Sequence, residues 1–315
     1  MTQNDVFQPI SLQRPVSAKL LLLFGFVLLG LVFGSLLGQF VAASMVGVPL
    51  NEFQKVINQP SSYPNSWLAI IVLQGVSALV GFCTSAWLYL RLIERTTLAA
   101  IAPPLHPTVL YGLIAIVTVS AFPFNGWVAE WNQNLHFPEP IDSLFRTEEK
   151  KLALVTKFLT EFNEPWQLVV GLIVIALIPA IGEELVFRGT LQPILLKGTK
   201  NVHLAVWVSA FIFSTAHFQF FGFVPRLLLG ALLGYLTAWT GSLQASIVSH
   251  FVNNGVTLLM VYLFKTKVTI LDQAEKPSIS WMAAIGSLVI VVLLLRQIRS
   301  ISIHSHHDTS LDKNL

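Results

Sequence analysis

Two adjacent carboxylates, Glu183 and Glu184, close an apolar stretch that runs from Leu168 to Gly182 without a charged residue. An ionised side chain resists leaving water, so an acidic pair in such a segment indicates a functional site in which a partner offsets the charge. Arg188 follows Glu184 by four residues, and residues four apart share one face of a helix. We therefore expect Glu184 and Arg188 to form an ion pair and Glu183 to be left for chemistry.

Three further polar side chains stand in apolar segments: His217, His250 and Asn254. A carboxylate in an apolar site can serve as a general base, and His217 could help it to deprotonate a water molecule. His250 and Asn254 are four apart, so they can face one cavity and supply the donors that a developing oxyanion needs. Each residue alone has a plainer explanation, in packing or in interhelical hydrogen bonds. Together with Glu183 they contain the parts of a water-activating amide hydrolase.

The composition is that of a membrane protein. The chain is 54% hydrophobic and 11% charged, and its mean hydropathy is +0.69, whereas soluble domains carry about a quarter charged residues. The lipid bilayer is therefore an expected partner. The net charge is +3 and the basic residues are scattered, which argues against nucleic acid as a partner. A single cysteine, Cys83, excludes an internal disulfide.

The apolar segments predict an all-α fold, a polytopic membrane bundle of about eight transmembrane helices. A crossing needs roughly 20 apolar residues, and the fifth segment is short for one. In the first segment Gly30, Gly34 and Gly38 recur every four residues, which is typical of a face for close helix packing. The predicted spans are 20–46, 67–92, 108–128, 166–186, 203–218, 223–240, 243–264 and 281–295.

These spans form one predicted transmembrane domain, 20–299, between polar tails at 1–19 and 300–315. The candidate site residues all fall in 166–264, the predicted catalytic core. The long polar insert before that core contains apolar residues at helical spacing among charged ones. That pattern predicts an amphipathic helix at about 148–163, lying on the membrane surface or capping the bundle.

Lysine and arginine in the short loops favour cytoplasmic termini. The same assignment brings Glu183 near the cytoplasmic face, with a cavity that opens towards that side. The first apolar run is longer than the core of a signal peptide, so we expect it to be retained. Since no organelle-targeting feature is present, a bacterial inner membrane is the expected location.

The site residues also resemble a known family, the CAAX-protease and bacteriocin-processing (CPBP, or Abi) family of intramembrane proteases, which includes the Ras-converting CAAX endopeptidase. The resemblance covers about 166–264. It rests on three motifs and their surroundings: Glu183-Glu184-x-x-x-Arg188 within EELVFRGTLQ, Phe213-x-x-x-His217, and His250-x-x-x-Asn254 preceded by Thr240-Gly241-Ser242-Leu243.

The resemblance implies a role for each motif residue: Glu183 and His217 activate the attacking water, His250 and Asn254 form the oxyanion hole, and Glu184 and Arg188 support the site. It leaves the cofactor open, because the family has been described both as metalloproteases and as metal-independent glutamate proteases. Glu183, His217 and His250 could in principle bind zinc. The base would then have to be Glu184, which is already paired. We therefore favour a site without a cofactor.

Two other classes of protein are consistent with parts of this pattern. A proton-coupled transporter also places Glu, His and Asn inside the bilayer, but the internal repeats that many transporters show are not found here. A catalytically idle immunity or scaffold protein would keep the fold and tolerate loss of Glu183. As a protease, the chain would act on a peptide or membrane-protein substrate, whose identity the sequence leaves open together with the oligomeric state.

Overall fold

The computed structural model describes residues 14–267 and 279–311. Every regular element in those residues is a helix, which confirms the predicted all-α membrane bundle. The main helices are α1 (Val16–Val46), α2 (Ser66–Glu94), α3 (Val109–Gln133), α4 (Ile141–Thr160), α5 (Pro165–Thr199), α6 (Val202–Thr215), α7 (Phe223–Thr240), α8 (Leu243–Lys267) and α9 (Trp281–Leu311). Short helical turns occupy Leu50–Glu52, Phe53–Asn58, Pro60–Ser62, Leu98–Ile101 and Phe220–Gly222.

Seven helices within the described ranges are long and apolar enough to cross a membrane. The predicted fifth span is the exception, because α6 has 14 residues and is about 21 Å long, against a hydrocarbon core of about 30 Å. The loop after α6 bonds to the end of α3. Asn132, near the end of α3, donates to the Phe220 carbonyl at 3.0 Å and accepts from the Val224 amide at 2.8 Å, so the α6–α7 loop reaches the level at which α3 ends.

Helices α1 and α2 pack closely through the predicted glycine face. A Cβ atom at Gly34 would lie 2.9 Å from Cβ of Val80, and one at Gly38 would lie 2.9 Å from Cδ1 of Leu73. Those separations leave no room for a side chain, so the two backbones meet directly. This contact confirms the function that the four-residue glycine spacing predicts.

Helix α5 is longer than the predicted fourth span. It runs for 35 residues to Thr199, about 52 Å at 1.5 Å per residue, whereas the apolar pattern alone ends near 186. Two π-helical turns, Leu172–Leu177 and Phe187–Leu191, flank the segment that carries the acidic pair. Glu183 therefore lies about halfway along α5. The sequence had suggested a position near the end of this helix.

The long insert contains α4, which begins seven residues before the predicted amphipathic helix. Its C-terminal half packs on α2, where Leu159 joins a cluster with Ile70 and Ile71. Near its N-terminus Phe145 stacks on Phe220 with ring centroids 3.7 Å apart. Helix α4 thus contacts both α2 and the turn after α6.

The predicted tails lie partly outside the described residues, which omit 1–13 and 312–315. Helix α1 begins at Val16. Helix α9 continues to Leu311, through residues that the sequence assigns to a polar tail.

Candidate active site

The acidic pair lies where α5 and α2 touch most closely. Gly182 precedes the pair, and a Cβ atom there would lie 2.8 Å from Cβ of Phe82 and 2.9 Å from Sγ of Cys83. Because no side chain fits at this position, α2 packs directly behind Glu183 and Glu184. Glu184 contacts His250 of α8, and Glu183 lies between His217 and His250.

Glu184 forms a buried ion pair of the kind that the i, i+4 spacing predicts. Arg188 Nη1 donates to Glu184 Oε1 at 2.8 Å, and both side chains have no exposed surface. Arg188 Nη2 donates to the Gly230 carbonyl of α7 at 2.8 Å, and the guanidinium lies 4.6 Å from the centre of the Phe213 ring. The pair thus links α5, α6 and α7.

His250 of α8 joins the same carboxylate. Its Nδ1 lies 2.8 Å from Glu184 Oε1, and its side chain is 4% exposed. A carboxylate held by Arg188 accepts a hydrogen bond, so Nδ1 carries the proton in this contact. The contact orients the ring, and Nε2 then lies 3.9 Å from Glu183 Oε2.

His217, at the end of α6, approaches Glu183 from another direction. Its Nδ1 lies 2.8 Å from the Phe213 carbonyl, and a carbonyl only accepts, so the neutral ring has its lone pair on Nε2. That atom lies 3.9 Å from Glu183 Oε2. This separation is too long for a direct hydrogen bond and suits a bridging water.

The structure therefore brings Glu183, His217 and His250 together. Glu183 Oε2 is buried and has no hydrogen-bond partner in the part of the chain that the structure describes, while an imidazole Nε2 faces it from each of two helices. The Glu183 and His217 side chains are 14% and 30% exposed. A carboxylate flanked by two imidazoles can bind, orient and deprotonate a water molecule.

Asn254 is placed differently from the expectation. Its Nδ2 donates to the Ile175 carbonyl at 3.4 Å, and its Oδ1 accepts from Asn253 Nδ2 at 3.0 Å. Pro179 has no N–H to return to Ile175, four residues earlier, so an α-helical bond to that carbonyl cannot form. Asn254 thus supplies a donor to a carbonyl of α5, and among the described residues no hydrogen bond joins it to Glu183 or His250.

The site contains the donor types that a zinc ion would need. In each histidine Nδ1 is engaged by an oxygen and Nε2 is directed inward, which is common among metal ligands. However, no group of three or more His, Cys, Asp or Glu side chains in the described residues could hold a metal ion. Glu183 Oε2 lies 3.9 Å from Nε2 of each histidine, and we derive no step through a metal.

Sequence reasoning missed a second hydrogen bond from α5 to a carbonyl of α7. Gln192 Nε2 donates to the Gly234 carbonyl at 3.1 Å, one helical turn beyond the bond from Arg188 to Gly230. The signal was present as two matched spacings of four residues, Arg188 to Gln192 and Gly230 to Gly234. Which carbonyls these donors reach depends on the register of α5 against α7, and local patterns do not encode it.

Comparison with known proteins identifies the segment that carries this site. Residues 165–256 match the family model described as Type II CAAX prenyl endopeptidase Rce1-like. This segment is similar to that family and includes all six predicted site residues, and the match confirms the resemblance that the three motifs predict.

One curated protein is similar to part of the chain. The uncharacterized protein YpbD of Bacillus subtilis (strain 168) is 30% identical over 89 residues, which is 27% of this chain. The match spans 42% of that relative's length, so the likeness concerns a part of each protein. No solved structure matches the chain significantly.

Proposed function

We propose that this integral membrane protein is an endopeptidase that hydrolyses a peptide bond by direct attack of water. The observation that carries the proposal is the position of Glu183 Oε2, 3.9 Å from Nε2 of both His217 and His250. The match to the Rce1-like family model supports protease chemistry in general. The assignment of each step to a residue rests on the motif resemblance together with this geometry.

Water activation is assigned to Glu183 and His217. A water between Glu183 Oε2 and His217 Nε2 donates one hydrogen bond to each, because the Phe213 carbonyl keeps the His217 proton on Nδ1. As the water oxygen attacks the carbonyl carbon, Glu183 takes one proton. The fixed His217 ring aims the water oxygen at the carbonyl carbon.

Stabilisation of the oxyanion is assigned to His250. When protonated, its ring donates through Nδ1 to Glu184 and through Nε2 to the negative oxygen of the tetrahedral intermediate. Arg188 and a protonated His250 would balance the charges of Glu183 and Glu184. Asn254 uses one amide hydrogen on Ile175, and we assign its second to the same oxyanion.

Collapse of the intermediate completes the reaction. The carbon–nitrogen bond breaks, the carbonyl re-forms, and Glu183 returns its proton to the departing amine. The products are a carboxylic acid and an amine, and one water is consumed; the acid then releases its remaining proton to solvent. Every group returns to its starting state, so the residues turn over without a further reactant.

A peptide-library assay tests the proposal. The purified protein in detergent is incubated with internally quenched peptides, with and without a strong chelator, and products are identified by mass spectrometry. We expect cleavage that survives chelation. Cleavage lost on chelation and restored by zinc would favour the metal-dependent alternative, and folded protein that cleaves no peptide would contradict the proposal.

A further inference from the structure

Arg226 is a cationic side chain that the proposed mechanism does not use. It lies in the first turn of α7, nine residues after His217. Its Nη2 donates to Gln219 Oε1 at 2.6 Å and its Nη1 donates to the Gln219 carbonyl at 3.5 Å. Both acceptors belong to one neutral residue, so these contacts orient the guanidinium without neutralising it.

Arg226 lacks a carboxylate partner, whereas the other described arginines that are not exposed have one. Arg188 and Arg146 each pair with an acidic side chain, at 2.8 Å and 2.6 Å. No ion pair within 4.0 Å is found for Arg226 in the described part of the chain. A cation inside a membrane protein usually has a partner, and the N-terminal end of a helix does not stabilise positive charge.

The charge of Arg226 interacts with charged groups of the candidate active site. The negative charges of Glu183 and Glu149 act on Arg226, and the positive charge of Arg226 acts on His217. Neither acid is close enough to form an ion pair with it. Arg226 thus lies within electrostatic reach of the atoms proposed to do the chemistry, on the side of the α6–α7 loop.

The surrounding chain holds Arg226 in place. A Cβ atom at Gly222 would lie 3.1 Å from Nη2, so the guanidinium packs on bare backbone. Asn132 fixes the turn between Gln219 and Arg226 through its bonds to Phe220 and Val224. A guanidinium has five N–H donors, of which two have acceptors here, so the others are available to a ligand.

We infer that Arg226 is a specificity-determining residue that binds a carboxylate of the peptide substrate. The inference rests on the proposed endopeptidase function and adds the charge of the substrate to it. A fixed guanidinium suits a carboxylate because the two planar groups form paired hydrogen bonds. The carboxylate could be the C-terminus of the peptide or an Asp or Glu side chain, and an experiment can separate these sources.

The test uses a quenched peptide library made in four forms: with a free C-terminus or a C-terminal amide, each with or without Asp and Glu. Wild type and Arg226→Gln are compared on all four by kcat/KM. Arg226→Lys keeps the charge without the planar fork. Arg91→Gln is the control, because Arg91 is exposed near the end of α2, and Gln219→Ala removes the side-chain acceptor of Arg226 but keeps the backbone one.

We expect wild type to favour forms that carry a carboxylate, and Arg226→Gln to reduce that preference roughly ten- to hundredfold. Arg226→Lys should keep part of it, and Arg91→Gln should keep all of it. Loss confined to the free C-terminus identifies a terminal carboxylate, and loss confined to Asp and Glu identifies a side chain. An equal loss on all four forms would overturn the inference and make Arg226 a structural support of the loop. No cleavage by wild type would instead contradict the proposed function.

Discussion

Glu183 and Glu184 are neighbours in sequence and have opposite surroundings. Glu184 Oε1 accepts from both Arg188 and His250, whereas Glu183 Oε2 has no hydrogen-bond partner among the described residues. Successive residues on a helix point about 100° apart, so one carboxylate can face the packed interior while the other faces the candidate cavity. The different contacts of Glu183 and Glu184 follow from that rotation.

Arg188→Ala is predicted to lower stability and activity together. It would leave the Glu184 charge buried without its guanidinium, and breaking a buried pair in this way costs about 3–5 kcal/mol. Thermal unfolding in detergent measures the effect. Lys151→Ala is the matched control, since Lys151 pairs with Glu148 at an exposed surface and such pairs contribute little. An unchanged melting temperature for Arg188→Ala would contradict the structural role of the pair.

Part of this residue-scale picture could be predicted from sequence. The Glu184–Arg188 pair follows from spacing within one helix, and the motifs indicate which histidines belong to the site. The contact between His250 and Glu184 joins residues 66 positions apart. It depends on how α5 packs against α8, which periodicity does not specify. The same holds for the contact between Asn254 and Ile175.

At the scale of helices, irregularities in α5 are matched by donors on its neighbours. Pro179 leaves the Ile175 carbonyl without an α-helical partner, and Asn254 of α8 donates to it. Arg188 and Gln192 reach carbonyls of α7. The packing of α5 against α7 and α8 therefore includes directional bonds as well as apolar contact, which favours a fixed register for the site.

Asn254→Leu is predicted to cost about 1 kcal/mol of stability, because it removes a donor from a partly buried carbonyl. In a Pro179→Ala background the cost should shrink, since the restored N–H at position 179 can bond Ile175. A double-mutant cycle of unfolding free energies tests this coupling. Activity adds a second readout: if Asn254 also donates to the oxyanion, Asn254→Leu should remain impaired in the Pro179→Ala background. Additive stability effects would contradict the Ile175 contact.

Gly34→Ala is predicted to destabilise the α1–α2 contact by roughly 1–3 kcal/mol, the usual cost of overpacking. The added Cβ would meet Val80 and the backbone of Ser77. Gly25→Ala is the control on the same helix, because nothing lies within 4 Å of a Cβ there. It should be neutral or stabilising. Equal melting temperatures for the two variants would show that the glycine face does not hold these helices together.

Docking of the α4 N-terminus is predicted to weaken in acid. The Phe137 N–H and the Arg146 guanidinium hold the pKa of Asp142 below its ordinary value of 3.8. A carboxyl whose pKa is lower in the folded state contributes stability above its unfolded pKa and loses it as the pH falls through the folded value. Hydrogen exchange at α4 should therefore rise below about pH 4 in wild type. In Asp142→Asn it should be high at neutral pH and change little with acid; a parallel rise in both proteins would contradict the assignment.

At the scale of the whole molecule, the contacts place the two ends of the described chain on one side of the bundle. Near the start of α1, Lys19 pairs with Glu94 at the end of α2, at 2.8 Å. Near the end of α9, the Arg299 guanidinium lies 5.8 Å from the Trp239 ring, at the close of α7. The α6–α7 loop lies on the opposite side, beside α4.

This arrangement bears on two expectations from the sequence. Cytoplasmic termini and a cavity that opens to the cytoplasm were predicted together. His217 is the most exposed of the three clustered side chains and stands at the start of the α6–α7 loop, opposite the chain ends. An opening beside His217 would therefore face away from the side that holds the termini. Which side is cytoplasmic stays a prediction from the lysine and arginine distribution.

The spans themselves were largely predictable, because hydropathy determines where a chain can enter a bilayer. The C-terminal ends of α5 and α9 were not: the predicted spans stop at 186 and 295, whereas the helices continue to Thr199 and Leu311. Within the added part of α5, the polar side chain of Gln192 donates to a carbonyl of α7. Such features depend on tertiary contacts, so an apolar pattern misplaces those boundaries.

The central claim, that Glu183 activates water for peptide hydrolysis, is tested most directly by kcat/KM of Glu183→Gln beside wild type on one cleaved peptide. The amide keeps the size of the side chain and cannot take the proton. Glu148→Gln, at an exposed ion pair, is the control, and melting temperatures confirm that each variant is folded. The account predicts a loss of about 10²–10⁴-fold for Glu183→Gln alone. A folded Glu183→Gln protein that cleaves the peptide at the wild-type rate would contradict it.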